Sequence, residues 1–367
     1  MRWRYPVLIA GIALLAVIAA PATQMNLGLP SGSSKPTSDT QRRAYDIVAQ
    51  NFGPGYNGPL LVVVDDVTDP AQLSPITQAL GKLPDVAVVV PGSNAGALHT
   101  IQVVPQSGPN DPKTADLVHS IRNQRDEIEG STGTRILVGG TTASNIDVSA
   151  KLSGALPVFL VVVVGLAFIL LTFAFRTIWV PIKSIIGFLL SVGAAFGAEV
   201  ALFQWGWGQH IFGIAPGEIV SFLPIVMLGI IFGLSSDYEV FVVSRIKEDF
   251  TKNGDARLAV ERGTGYSARV VTAAALIMFS IFVAFMINKD PTIKAIGFGF
   301  AVGVLLDAFV VRLTLVPAVM AIAHRQFWYH PQWFATCVPN PDIEGERLEQ
   351  RLAAAAERSP EPDTVAP

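Results

Sequence analysis

The chain has 367 residues, 51% of them hydrophobic and 15% charged, with a formal net charge of -3. That balance argues against a nucleic-acid partner, which needs a basic face, and for a membrane protein with a soluble portion. The single cysteine, Cys337, excludes an intrachain disulfide framework, and His99, His119, His210, His324 and His330 lack ligand spacing, so neither metal nor cofactor is expected.

In chain order, apolar stretches able to span about 30 Å fall at residues 6–25, 155–175, 181–203, 217–243, 270–287 and 292–323. They predict an α-helical membrane bundle of six transmembrane helices, one over 1–25 and five over 155–323. The first stretch, with Arg2, Arg4 and the small-residue pattern Ala20-Pro21-Ala22, also fits a cleavable signal peptide.

Residues 26–154 read as a small α/β unit. Short apolar strands are predicted at 60–64, 86–90, 98–104 and 135–138, the second ending at Pro91-Gly92. Helical spacing covers 70–83 and 112–128, the latter with Leu117, Val118, Ile121 and Ile128 inward. The order β-α-β-β-α-β is the ferredoxin-like split pattern, with two helices over one sheet face. A polar helix at 40–52 precedes it, and 141–152 is expected to feed straight into the second crossing.

Charges orient the crossings. Arg176 and Lys183 join the second to the third, Arg245 to Arg269 join the fourth to the fifth, and His324 and Arg325 follow the sixth, while the opposite loops are nearly bare. The positive-inside rule then places both termini in the cytoplasm and 26–154 outside the inner (cytoplasmic) membrane. The tail 324–367 is a cytoplasmic segment, with a short charged helix over 344–358 and disorder from Pro360 onward.

The fourth crossing holds a costly residue. From Ile219 to Val243 there are fifteen Leu, Ile, Val and Phe. Each favours insertion by roughly 0.3–0.6 kcal/mol, against about 2.5–3.5 kcal/mol for a charged Asp at mid-helix. Asp237 is therefore expected to face other protein or a wet cavity, or to carry a proton. An intramembrane acid is a candidate for moving protons or ions; a static interhelical partner is the bland alternative. Tyr238 is either ordinary packing or a hydroxyl that passes the proton. Glu239 is expected to pair with Arg245 or Lys247 near the inner surface. Asp307 and Arg312 are five apart, poorly placed to pair on one α-helix, and are expected to pair across helices. With Ser236 and Glu239 they form a candidate coupling network. The run Arg245 to Asp249 and the run Asp255 to Arg262 read as an interfacial amphipathic linker.

Glycines four apart mark close helix packing: Gly193 and Gly197, Gly229 and Gly233, Gly299 and Gly303. Two of these stripes continue at the same spacing into Asp237 and Asp307, predicting that each acid faces a neighbour and that the fourth and sixth crossings share one polar interior. No phosphate-binding loop is present, since Gly297-Phe298-Gly299 lies inside an apolar helix.

The segment Gly233-Leu234-Ser235-Ser236-Asp237-Tyr238-Glu239-Val240-Phe241-Val242-Val243-Ser244-Arg245 resembles the Asp-Tyr helix of MMPL-type transporters of the resistance-nodulation-division superfamily. Ser267 to Ala275, Leu306 to Leu313 and Val138 to Asp147 resemble other segments of that family, and the likeness extends over nearly all of 1–335. The resemblance implies a non-enzymatic, proton-driven exporter of lipids or other hydrophobic cargo, with Asp237 and Tyr238 as the proton relay and 26–154 as an extracytoplasmic porter domain. It also implies a missing half. Such proteins have about twelve crossings and a second Asp-Tyr pair, whereas this chain looks like the C-terminal half. A second six-helix half or a homodimer is the expected partner. A non-transporting regulatory subunit and an inactive split fragment are the alternatives.

Overall fold

The computed structural model describes residues 4–209 and 214–323. The tail 324–367, with Cys337 and the charged segment 344–358, lies outside the described residues, as do Arg2 and His210. Among the described residues, six helices are long and apolar enough to cross a membrane: Arg4–Gln24, Thr141–Phe175, Trp179–Gln204, Leu223–Thr251, Ala256–Phe285 and Pro291–Ala323. Helix is the form such runs take because it satisfies every backbone donor and acceptor within the segment.

The first span, α1 (Arg4–Ala19), continues as a 3-10 turn over Ala20–Gln24 and leads into the two-residue strand β1 (Leu27–Gly28). After α2 (Thr40–Asn51) comes an antiparallel sheet of β2 (Leu60–Asp65), β3 (Val86–Ala95), β4 (Leu98–Pro105) and β5 (Arg135–Gly139), in the spatial order β3-β4-β2-β5. Leu60, Val62 and Val64 alternate inward. They meet Ile76 and Leu80 of α3 (Leu73–Gly81), Leu117, Val118 and Ile121 of α4 (Pro112–Asn123), and Ile128 of α5 (Arg125–Thr132) in one apolar core.

The remaining spans follow without a second soluble unit among the described residues. Helix α6 (Thr141–Phe175) rises directly from the sheet, and α7 (Trp179–Glu199) runs on as a π-helical segment over Val200–Gln204. Strand β6 (Ile219–Val220) pairs in parallel with β1 and precedes α8 (Leu223–Asn253) and α9 (Ala256–Phe285). The last span is α10 (Pro291–Leu305), a second π-helical segment over Leu306–Leu315, and α11 (Val316–Ala323). Trp179 at one end of the third span and Trp205 with Trp207 at the other suit the two interfacial levels of a bilayer.

Several boundaries differ from the sequence reading, each for a local reason. The apolar run at 217–243 enters its helix only at Leu223, because Ile219 and Ser221 donate their backbone N–H groups to Asn26 and Gly28 in the β1–β6 bridge. The expected linker 245–262 is instead helix on both sides of one turn. Gly254 adopts φ +70, and the Asp255 side chain caps α9 by accepting from the N–H groups of Arg257 and Leu258. Strand β3 continues past Pro91-Gly92 to Ala95, taking up the irregularity in a register shift between Pro91 and Asn94. The helix expected over 112–128 is broken at Gln124 into α4 and α5.

The third and sixth spans occupy the centre, with over half of their apolar windows buried, and the first span lies against them. A Cβ placed on Gly197 would lie 1.9 Å from the Ile18 carbonyl oxygen, so α1 and α7 meet backbone to backbone there. Gly197→Ala is expected to lose about 1–3 kcal/mol or more, the usual cost of overpacking. Gly154→Ala, with open space around it, should gain slightly from its helical position. Thermal unfolding in detergent that ranks the two the other way would contradict this packing.

The soluble unit is tied to the bundle by polar contacts. Lys35 Nζ lies 2.8 Å from Asp290 Oδ2, and Asn110 donates to Glu218 Oε2 at 3.2 Å. The hydrogen bond from Lys35 holds the Asp290 carboxyl below its usual range. A lowered carboxyl stabilises the fold above the ordinary Asp value, and that contribution is lost as pH falls through the lower, folded value. The pair is part-exposed, so it is worth about 1 kcal/mol or less. Lys35→Met should therefore melt below wild type near about pH 6 and level with it near about pH 2; a gap that persists in acid would assign the effect to packing.

Candidate functional site

Four ionisable side chains meet inside the bundle: Lys183 of α7, Glu239 of α8, and Asp307 and Arg312 of the second π segment. Their side chains are no more than 7% exposed. Glu239 is the hub, pairing with Lys183 through one carboxylate oxygen and with Arg312 through the other. Arg312 Nε also reaches Asp307 Oδ2 at 3.1 Å. Two cations against two anions leave the ionised cluster formally neutral, which is how buried charges are tolerated.

Serines complete the cluster. Ser184 donates to Glu239 Oε1 at 2.6 Å, and Arg312 Nη2 donates to the Ser235 hydroxyl at 2.6 Å. Ser235 donates onward to Asp307 Oδ1 at 3.1 Å, with Ser191 at 3.4 Å from the same oxygen. A cavity of about 10 Å³, lined by Ser184, Ser235, Ser236, Glu239 and Arg312 among others, adjoins the ion pairs. That is room for about one water.

Winding decides the geometry. Asp307 and Arg312 were expected to be poorly placed for pairing along one helix, yet they do pair within their own element. The reason is the π-helical segment Leu306–Leu315, whose i to i+5 winding brings residues five apart onto one face. Arg312 also pairs across helices, with Glu239, as expected of it.

Two further expectations are corrected. Glu239 does not pair with Arg245 or Lys247: it is 1% exposed, and Lys183 and Arg312 are its partners, while Arg245 binds Glu248 at 2.9 Å. Lys183, taken from the sequence as an orienting loop charge, is a buried member of the cluster. Neither signal was available in the sequence, because the partners lie on three different helices.

The structure places Asp237 elsewhere. Its side is exposed on the open face of α8, in line with Gly233 and half-buried Gly229. A Cβ at Gly229 would sit 3.7 Å from the Phe159 ring of α6, whereas one at Gly233 would meet nothing within 4 Å, so the end of the stripe beside Asp237 has no neighbour among the described residues, contrary to the expected packing. Neither Asp237 nor Tyr238 has a hydrogen-bond partner among the described residues. Tyr238 is half-buried and within electrostatic range of Asp307, Arg312 and Asp237, between the open face and the cluster. The Gly299 and Gly303 stripe does pack: Cβ atoms there would come within 2.8 Å of Met227 and 2.5 Å of Ile231, so α8 and α10 share an interior. Gly193 and Gly197 pack against α1.

One acid was missed. Glu199 lies inside the third apolar run, fully buried, and the rule that singled out Asp237 applies equally to it. At the junction of sheet and bundle, a cavity of about 440 Å³ is lined by apolar groups such as Leu27, Leu29 and Ile146 together with Asn110, His119, Asn145, Ser149 and Glu218.

The MMPL family profile matches residues 62–362. Membrane protein YdfJ of Bacillus subtilis (strain 168) is 41% identical over 351 residues, covering 94% of this chain and 48% of its own length. Heme uptake protein MmpL11 of Mycobacterium tuberculosis (strain ATCC 25618 / H37Rv) is 36% identical, covering 94% of this chain and 36% of its own. Mycolic acid-containing lipids exporter MmpL11 of Mycolicibacterium smegmatis is 34% identical, covering 94% and 37%. The chain thus spans half or less of the length of these relatives, whose names are those of membrane and transport proteins rather than enzymes. A six-span chain with charges buried between its helices, matched by one family over most of its length, belongs to the MMPL family.

Proposed function

We propose that this chain is one half of a proton-motive-force-driven transporter of lipids or other hydrophobic molecules across the inner membrane, with Asp237 and Tyr238 as its relay. The carrying observation is the position of Asp237: midway along an apolar helix, exposed beside Gly233 on a face that no described residue of this half covers. A carboxylate turned to lipid costs about 2.5–3.5 kcal/mol at mid-helix, so the face belongs against protein. A second six-helix half, or a second copy of this chain, supplies that cover and brings a second acid to the first. Gly233, one turn from Asp237 and uncovered among the described residues, gives the close approach such packing needs.

The sheet unit supports the rest of the reading. Its order β3-β4-β2-β5 with helices on one face suits a ferredoxin-like porter subdomain lying outside the membrane, with both chain termini in the cytoplasm. The cavity at its base, part apolar and part polar, is where an amphiphilic cargo would rest. Relatives named for heme uptake and for export of mycolic acid-containing lipids point to bulky hydrophobic cargo without choosing a direction.

Proton entry supplies the drive. A charge crossing 100 mV releases about 2.3 kcal/mol, and each pH unit adds about 1.36 kcal/mol. Protonation of Asp237 removes a charge from the interface between halves, which shifts the balance between two packings of the spans. The neutral Lys183–Glu239–Arg312–Asp307 cluster holds α7, α8 and the last span together as one body during that shift. Cargo movement by the reconstituted assembly under an imposed pH gradient, with and without Asp237→Asn, tests the reading.

A further inference from the structure

A second acid stands apart from the cluster. Glu199 ends α7 at the sheet side, is 0% exposed, and neither of its carboxylate oxygens has a hydrogen-bond partner among the described residues. Its surroundings are apolar: a Cβ on Gly299 of α10 would lie 3.0 Å from Glu199 Oε1 and 2.8 Å from the Met227 sulfur of α8. Two residues earlier, Gly197 packs on the Ile18 and Ala19 backbone of α1. No charged group among the described residues interacts with it. On the elements packed around it the titratable and charged groups are Glu218 and Lys294 toward the sheet, and Lys183, Asp307, Arg312, Asp237, Tyr238 and Glu239 toward the other end, with Arg245 to Asp249 of α8 beyond them; α1 carries Arg4 and Tyr5 at its far end.

Two features connect this acid to outside and inside. A cavity of about 40 Å³ is lined by Phe203, Ala295, Glu218 and Asn110. Phe203 and Ala295 each lie one helical turn, roughly 6 Å, from Glu199 and Gly299. The cavity shares Gly28, Leu29, Asn110 and Glu218 with the larger one below the sheet. In the other direction, Ser191, which faces Asp307, is two turns along α7, roughly 12 Å, past a tight layer where a Cβ on Gly303 would lie 2.5 Å from Ile231. Glu199 directly precedes one π segment and Asp307 lies in the other. Such segments recur at functional positions.

We infer that Glu199 is a proton-loading acid on the sheet side of the membrane: it takes a proton from water in the cavity at Phe203 and Ala295 and holds it above the Ile231 layer, upstream of Asp307. An unpaired carboxylate in this apolar setting is strongly disfavoured, so the group is stable with a proton bound and can release it only as a polar path opens. The step forms one O–H bond on the carboxyl as one breaks on hydronium, and nothing else is consumed. The inference rests on the proton-driven reading above, and deepens it.

The test uses the full chain, with whatever half copurifies, in proteoliposomes under an imposed pH gradient, and infrared difference spectroscopy on the same preparation. Glu199→Gln should delete a protonated-carboxyl band that shifts on exchange into heavy water, and should slow proton influx at least about tenfold, while Glu199→Asp keeps both. Glu199→Met, which removes an unpartnered polar group, controls for folding and should melt no lower than wild type. Wild-type influx in Glu199→Gln, in a preparation that Asp237→Asn silences, would overturn the inference. If the wild-type assembly passes no protons, the transport reading fails separately. The infrared arm then decides alone: a Glu199 band that exchanges upholds the loading site, and one absent or unexchangeable sinks it.

Discussion

Asp237→Asn is expected to leave the fold intact and to abolish proton-driven transport, by about 100-fold or more, the scale of losing a positioned proton-transfer group. The two halves of that expectation come from the same geometry. Asp237 lies exposed on α8 without a hydrogen-bond partner among the described residues, so an isosteric amide disturbs nothing inside this half. Substitutions at such positions usually change stability by about 0.5 kcal/mol or less. Yet an amide cannot alternate between charged and neutral forms, and that alternation is what couples proton entry to repacking. Unchanged melting together with lost cargo movement in proteoliposomes is the predicted result. Cargo movement at the wild-type rate would remove Asp237 from the mechanism.

Arg312→Met should be the most destabilising change in the bundle, costing about 3–5 kcal/mol. The long apolar side chain fills much of the volume, so the loss reports charge rather than a void. Without the guanidinium, Asp307 keeps only Ser235 and Ser191, and Glu239 keeps Lys183 and Ser184. One negative charge is then uncompensated among Ser191, Val311 and the other buried groups around it. The double replacement Arg312→Met with Asp307→Asn restores neutrality. It is expected to melt above the single Arg312→Met variant, with a coupling energy of about 1–3 kcal/mol. Equal losses in single and double variants, measured by unfolding in nanodiscs, would show that Asp307 and Arg312 act independently.

Both changes touch groups close in sequence that behave differently. Asp237 and Glu239 are two residues apart on α8, which turns them by about 200° from one another. One faces out of the half and the other lies at the centre of the ion cluster. The sequence offers both as acids in an apolar run, and Asp237, nearer the middle of that run, looks the more shielded. Rotation of α8 about its axis, set by Met227 and Ile231 seating against Gly299 and Gly303, reverses that order.

Hydropathy is a property of contiguous residues, so six spans, their approximate limits and the strands of the soluble unit were legible in the sequence alone. The Asp-Tyr segment likewise carried the family resemblance without any coordinates. Tertiary structure decided what depends on neighbours distant along the chain. It brought Lys183 of α7 to Glu239 of α8, wound the last span so that Asp307 meets Arg312 five residues on, left Gly233 beside Asp237 uncovered, and enclosed Glu199 without a hydrogen-bond partner among the described residues. The physical reason is common to all four. A helix can be read from its own residues, but the direction each side chain faces is fixed only when other helices pack against it.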